Sequence, residues 1–250
     1  MYDFEYSSTL YEFASVVTFA NGKRSEFKKK DQILFNRDDT EKDKFVVTML
    51  GSQDETIDGN PVDDFNQIIL QFGKALYPIK MKVSDHGEIE HLLDFSEMKE
   101  RWKLRREELI EYYEYEYLVK KQSHRYAVGL KSEEKFFGIL KENMLYRLFF
   151  WYDNKQPQDL ILHDFPARAR KAIFTFDGKT SIEKKEKEEK GIIYDTYEVH
   201  DEGSKKILSG HAQLTIQFSE DGLPDRIMLW ARVEEKDVGY FTKEVVIKRL

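Results

Sequence analysis

No cysteine occurs in the 250 residues, which excludes disulfides, thiolate metal sites and cysteine nucleophiles. The 13 glycines are scattered singly. No GxGxxG or GxxxxGK[ST] run gathers them into a loop whose backbone amides could cradle phosphate, which argues against the common nucleotide enzymes. A GxSxG elbow and an HExxH pair are also missing. No apolar run approaches the ~20 residues of a membrane-spanning helix. There is no basic excess: 40 Lys and Arg face 47 Asp and Glu, a formal charge of −7, which argues against a general nucleic-acid binder. Met1–Glu5 has neither the basic start nor the apolar stretch of a signal peptide, so a cytoplasmic protein is expected.

The chain does have aromatics: 18 Phe, 14 Tyr and 3 Trp, too many for a disordered segment. Its length is enough to bury ~70–75% of the unfolded surface.

Strand-like alternation dominates the first third. Tyr11, Phe13, Val17 and Phe19 share one face, and Asn21-Gly22 suits a tight hairpin. A return strand runs to about Asn36 with Ile33 and Phe35 on one face. The next strand is apolar on both faces (Phe45, Val47, Met49; Val46, Leu50) and reads as central. Residues 54–64 read as an acidic loop. A short helix carrying Phe65, Ile68, Ile69, Phe72 and Leu76 stops at Pro78. A second hairpin follows, with Ile79, Met81 and Val83 returning at Ile89 to Leu93.

Helical periodicity then takes over. Asp94 and Glu97 have capping-box spacing, and Met98, Trp102, Leu109, Tyr113 and Tyr117 form a stripe, predicting one long helix over 95–122. A further helix from Ser132 carries Phe136, Leu140, Met144 and Leu148. Residues 157–166 read as a loop anchored by Leu160, Ile161 and Leu162. The last 80 or so residues alternate as a β-meander. Its clearest strand sets Ala212, Leu214, Ile216 and Phe218 against His211, Gln213, Thr215 and Gln217.

Strands, then helices, then strands exclude interleaved βαβ units. The expected fold is one α+β domain over 1–250: β-rich with one short helix to 94, helical over 95–155, a β-meander over 168–250. An antiparallel sheet or sheets, curved as a half-barrel, would pack on two or three central helices, with the long helix as cover. This order of elements is similar to that of lipoprotein-carrier folds. Trp102, Leu109, Phe136, Leu140, Leu214, Ile216 and Phe218 are the expected core.

The candidate chemistry is sparse. His86 and His91, with Asp85 and Glu88, flank one hairpin in the manner of a weak metal site, but two surface imidazoles beside a turn are the preferred reading. The carboxylates Asp54, Glu55, Asp58, Asp63 and Asp64 suit calcium in number but not in EF-hand spacing; Asp63-Asp64 fit a helix N-terminus. Lys23 to Lys30 and Lys99 to Arg106 are basic clusters, the second offset by glutamates one turn on. The run of lysines and glutamates at 183–190 sums to zero charge and reads as a hairpin end or a short charged helix. No catalytic residue, metal site or cofactor is assigned.

Two surface features remain. Tyr112 and Tyr115 form a second aromatic stripe beside the core one, and a helix on one sheet cannot readily bury both. They are the candidate partner-binding residues. His211, Thr215, Gln217 and Trp230 share one side of the C-terminal strands, the candidate pocket face. The expected function is a non-catalytic binding or interaction protein (assembly component, adaptor or inhibitor) using an aromatic patch on a protein partner, a basic one by charge. The alternatives are a carrier of an apolar ligand in a half-barrel cavity and, third, an enzyme with unidentified acid–base residues.

Overall fold

The computed structural model describes residues 6–84, 87–113, 116–150, 160–162, 174–176, 183–185, 189–196, 199–201 and 207–250. It is an α+β fold built on an open antiparallel sheet. The N-terminal strands are β1 (Tyr6–Thr18), β2 (Arg24–Arg37), β3 (Lys44–Ile57) and β4 (Asn60–Pro61), followed by helix α1 (Asp64–Lys74) and strands β5 (Ile79–Ser84) and β6 (Ile89–Leu92). The helices are α2 (Phe95–Tyr112), α3 (Glu116–Gly129), α4 (Glu133–Glu142) and α5 (Met144–Phe150). The C-terminal strands are β7 (Leu160–Leu162), β8 (Phe174–Phe176), β9 (Glu183–Lys185), β10 (Glu189–Thr196), β11 (Val199–Asp201), β12 (Ile207–Phe218), β13 (Pro224–Glu235) and β14 (Gly239–Arg249).

The main sheet has 11 strands in the order β6-β5-β3-β2-β1-β14-β13-β12-β10-β9, with β4 beside β3; β11, β8 and β7 form a small second sheet. The first and last long strands pair at its centre, Tyr11–Thr18 against Thr242–Arg249. The β1–β2 and β12–β13 hairpins turn the same way. Gly22 and Gly222 have φ of 78° and 79°, and their N–H groups donate to Phe19 and Ser219 carbonyls at 2.8 and 2.9 Å. A left-handed residue closing such a turn calls for glycine.

Alternation along the strands sends one side chain set into a single apolar core: Tyr11, Ile33, Phe35, Val47, Leu214, Ile227 and Ile247 among them. Trp102, Leu109, Phe136, Leu140, Leu214 and Ile216 are buried as expected, whereas Phe218 is only partly buried. It lies at an irregularity in the β12–β13 register, one pair short of the turn, where the sheet ends.

The helical layer departs most from expectation. The helix expected over 95–122 is two: α2 ends at Tyr112, and Tyr113 is extended at φ −98°, ψ 120°. Aromatic residues are mediocre helix formers, and three glutamates in the last two turns of α2 oppose its dipole. Asp94 makes no capping bond; its carboxylate accepts from the Lys80 N–H across to β5 instead. The second predicted helix also breaks, at Asn143, whose side-chain oxygen accepts from the Leu145 N–H and starts α5.

The cover of the sheet is α5, not the long helix. Its sequence is apolar almost all round, and Tyr146, Phe149 and Phe150 are fully buried, with Phe149 4.8 Å from Tyr11 and 6.1 Å from Phe35. Helix α2 lies further out and sets Trp102 6.3 Å from Phe72 of α1. Two expected loops contain strands: β3 continues to Ile57, and Leu160–Leu162 is β7. The charged run at 183–190 includes β9 and the first two residues of β10, with which β9 pairs. Tyr115, Asp85 and His86, and the expected Asp177-Gly178 turn lie outside the described residues.

Candidate functional site

The outward side of α2 is built by where its basic residues go. Arg101 donates to the Leu76 and Pro78 carbonyls at 3.2 and 2.7 Å. Arg105 donates to Gln71 of α1 at 2.9 Å and pairs with Glu108, and Arg106 reaches Ser123 of α3 at 3.3 Å. Three arginines of the expected solvated cluster thus tie α2 to its neighbours. Glu107 and Glu111 remain exposed toward the helix C-terminus, where the dipole disfavours anions. Beside them Tyr112 is 79% exposed, its ring stacked edge-on at 5.0 Å with the partly buried Tyr113. Tyr117, expected in the core stripe, is 74% exposed, because the chain breaks between the two residues. Leu104, two turns before Tyr112, is 60% exposed. Leu104, Glu107, Glu111 and Tyr112 thus form an exposed aromatic–acidic face at the end of α2, and Tyr117 is exposed in the first turn of α3.

His211, Thr215, Gln217 and Trp230 do lie together, all half-buried, on the side of β12 and β13 opposite Ala212, Leu214 and Leu229. The His211 and Trp230 rings meet edge to face at 5.5 Å, and Arg232 covers the Tyr240 ring at 3.5 Å. These are cross-strand pairs that stabilise the sheet.

No family model matches this chain, and no curated protein matches it in sequence.

One cluster escaped the sequence reading. Lys29 and Asp31 of β2 both point into the core, paired at 2.9–3.0 Å. Burial pushes the Asp31 carboxyl up, with the Lys29 ammonium pulling the other way. Burial also opposes the ammonium, yet Tyr77 and Asp31 outweigh it and hold Lys29 above its ordinary value. Tyr146 donates to the Tyr77 hydroxyl at 3.3 Å, and burial raises both phenols. The ammonium and two neutral phenols are fixed dipoles and charges, not groups poised to exchange protons near neutral pH.

Above this cluster a cleft of about 330 Å³ opens between β3 and the chain leaving α1. Its walls include Lys74 and Tyr77. Glu55 accepts from Lys74 at 2.9 Å and from the Ser52 hydroxyl at 3.0 Å. The expected acidic cluster is thereby dispersed. Glu55 is buried beneath the cleft, and Asp58 accepts from the Glu26 N–H at 2.6 Å. Asp63 caps α1, accepting from the Asn66 N–H at 2.8 Å. Among the described residues no three His, Asp or Glu converge as metal ligands.

Proposed function

We propose that this chain is a non-catalytic interaction protein that docks a basic protein partner on the aromatic–acidic patch at the α2–α3 junction. The observation that carries this reading is the exposure of Tyr112 and Tyr117, with Glu107 and Glu111 exposed beside Tyr112 while Arg101 and Arg106 bond to neighbouring elements. Tyrosine joins apolar area to a polar tip, and its ring face attracts lysine and arginine. Carboxylates at the C-terminal end of α2 cost the free helix stability, and a cationic partner relieves that cost. The net charge of −7 adds steering toward such a partner. The carrier alternative loses support because Tyr146, Phe149 and Phe150 are fully buried and Phe149 packs on Tyr11 and Phe35, filling space on the sheet that an apolar cargo would need.

The test is photo-crosslinking from position 112 in the native cell, with a crosslinker at Tyr240 as control. A basic protein captured from 112 and not from 240 supports the reading. The Tyr112→Ser/Tyr117→Ser variant should then bind that protein about a thousandfold more weakly, at about 2 kcal/mol per lost anchor. Its melting temperature should stay nearly unchanged, since both rings are exposed. A captured partner that binds the variant with unchanged affinity rejects the patch.

A further inference from the structure

The edge of β3 is interrupted. Strand β5 pairs with Lys44–Met49 and β4 with Thr56–Ile57. Between them, on the side away from β2, residues 50–55 have no strand partner among the described residues. Two register irregularities against β2, at Gln32/Ile33 and Lys28/Lys30, bound the same stretch. Irregularities of this kind end pairing and re-aim a strand beside functional sites. Instead of a strand, the chain leaving α1 passes alongside, and the cleft fills the space between.

The cleft is held open by specific residues. Gly51 has φ of 121°, and a Cβ there would lie 3.5 Å from the Tyr77 side chain, so any larger residue would grow into the wall. Buried Glu55 fixes the Lys74 ammonium at the cleft, using one of its three donors.

We propose that this cleft binds the C-terminal end of an extended polypeptide. Its main chain takes the place of the missing strand along Leu50–Gln53, and its terminal carboxylate meets Lys74. Strand addition to a free edge is a general mode of peptide recognition. The window lies opposite only Lys29–Gln32 of β2, about 13 Å at strand spacing, and β5 and β4 block both ends. A continuous strand running through would collide with them, whereas a chain end fits. Of the two chain ends, the carboxylate is the one that an ammonium receives.

The test uses the full chain and a display library of random heptapeptides with free C-termini. The tightest peptide is then measured by fluorescence anisotropy, free and C-terminally amidated, with amide shifts mapped by NMR. The proposal expects shifts at Leu50–Gln53 and at least tenfold weaker binding of the amidated peptide. Lys74→Met should weaken the free peptide equally and leave the amidated one unchanged. Because the amidation comparison uses unaltered protein, it decides the matter even if Lys74→Met folds poorly. Failure of the library to yield a binder, or equal binding of both peptide forms, overturns the proposal. Loss of binding in Tyr112→Ser/Tyr117→Ser would place the peptide on the α2–α3 patch and overturn it too.

Discussion

Lys29 and Asp31 illustrate how a buried pair is both costly and indispensable once formed. Both side chains face Ile33 and Phe35 in the core, so neither charge can be re-solvated if its partner is removed. Asp31→Ala should therefore destabilise the protein by about 3–5 kcal/mol, while Lys29→Met with Asp31→Leu should be near neutral. Urea denaturation of the three proteins separates these outcomes; a double variant as unstable as the single would mean that the pair itself stabilises the fold. Asp38 works at the opposite extreme. The Thr40 hydroxyl and the Thr40 and Glu41 N–H groups donate to its carboxylate at 2.6–3.0 Å, with Lys82 at 3.2 Å, and hold its pKa far below the usual range. A depressed carboxylate stabilises above its unfolded pKa of ~3.9, and that contribution fades as pH falls below it. Asp38→Asn should flatten the decline of melting temperature between about pH 4 and 2. An unchanged slope would show that Asp38 does not couple folding to pH. The Lys29–Asp31 pair was legible in principle: positions 29, 31, 33 and 35 share one phase of β2. Its lysine was hidden inside a basic run that reads as surface.

At the scale of elements, strands were easier to read than helix ends. Period-2 alternation survives because each strand has one buried face, and β12 and β13 lie where it places them, while β3 starts as expected but runs on to Ile57. The helix breaks at Tyr113 and Asn143 were not legible. The apolar stripe runs on through both positions and masks the weak local signals against helix near Tyr113, so tertiary packing decides where the chain turns. Exposure of Tyr112 followed from the two-stripe argument, whereas that of Tyr117 needed the break. The free sheet edges also depend on contacts distant in sequence. At the β6 edge, Glu133 of α4 accepts from the Leu92 N–H at 2.7 Å. This covers a backbone donor that could otherwise pair with another chain. Glu133→Ala should cost about 1–3 kcal/mol and raise self-association. Light scattering across a concentration series checks the second part, and a monomer as stable as the unaltered protein would show that the edge needs no cover. Leu140→Ala and Leu214→Ala, both in full core positions, should each cost about 2–5 kcal/mol by denaturant midpoint. Unchanged midpoints would contradict their placement.

Across the whole molecule, the central seam of the sheet joins the two ends of the sequence. Eight residue pairs link β1 to β14, with the N-terminal strands on one side and the C-terminal meander on the other. The hairpins on either side can form locally, but the seam closes a loop of nearly the full chain. By chain-closure scaling it costs roughly 3 kcal/mol more entropy than a hairpin. Such contacts are expected to form late, after the hairpins have condensed. Ile247 sits in the seam, fully buried, opposite Phe13 on β1 and Ile227 on β13. Ile247→Ala should destabilise by about 2–5 kcal/mol. If the seam closes after the transition state, nearly all of that loss should appear as faster unfolding, with the folding rate almost unchanged. Stopped-flow folding and unfolding rates across a urea series measure the partition directly. A folding rate reduced by the full equilibrium loss would show that the chain ends meet first and that the hairpins assemble onto a preformed seam.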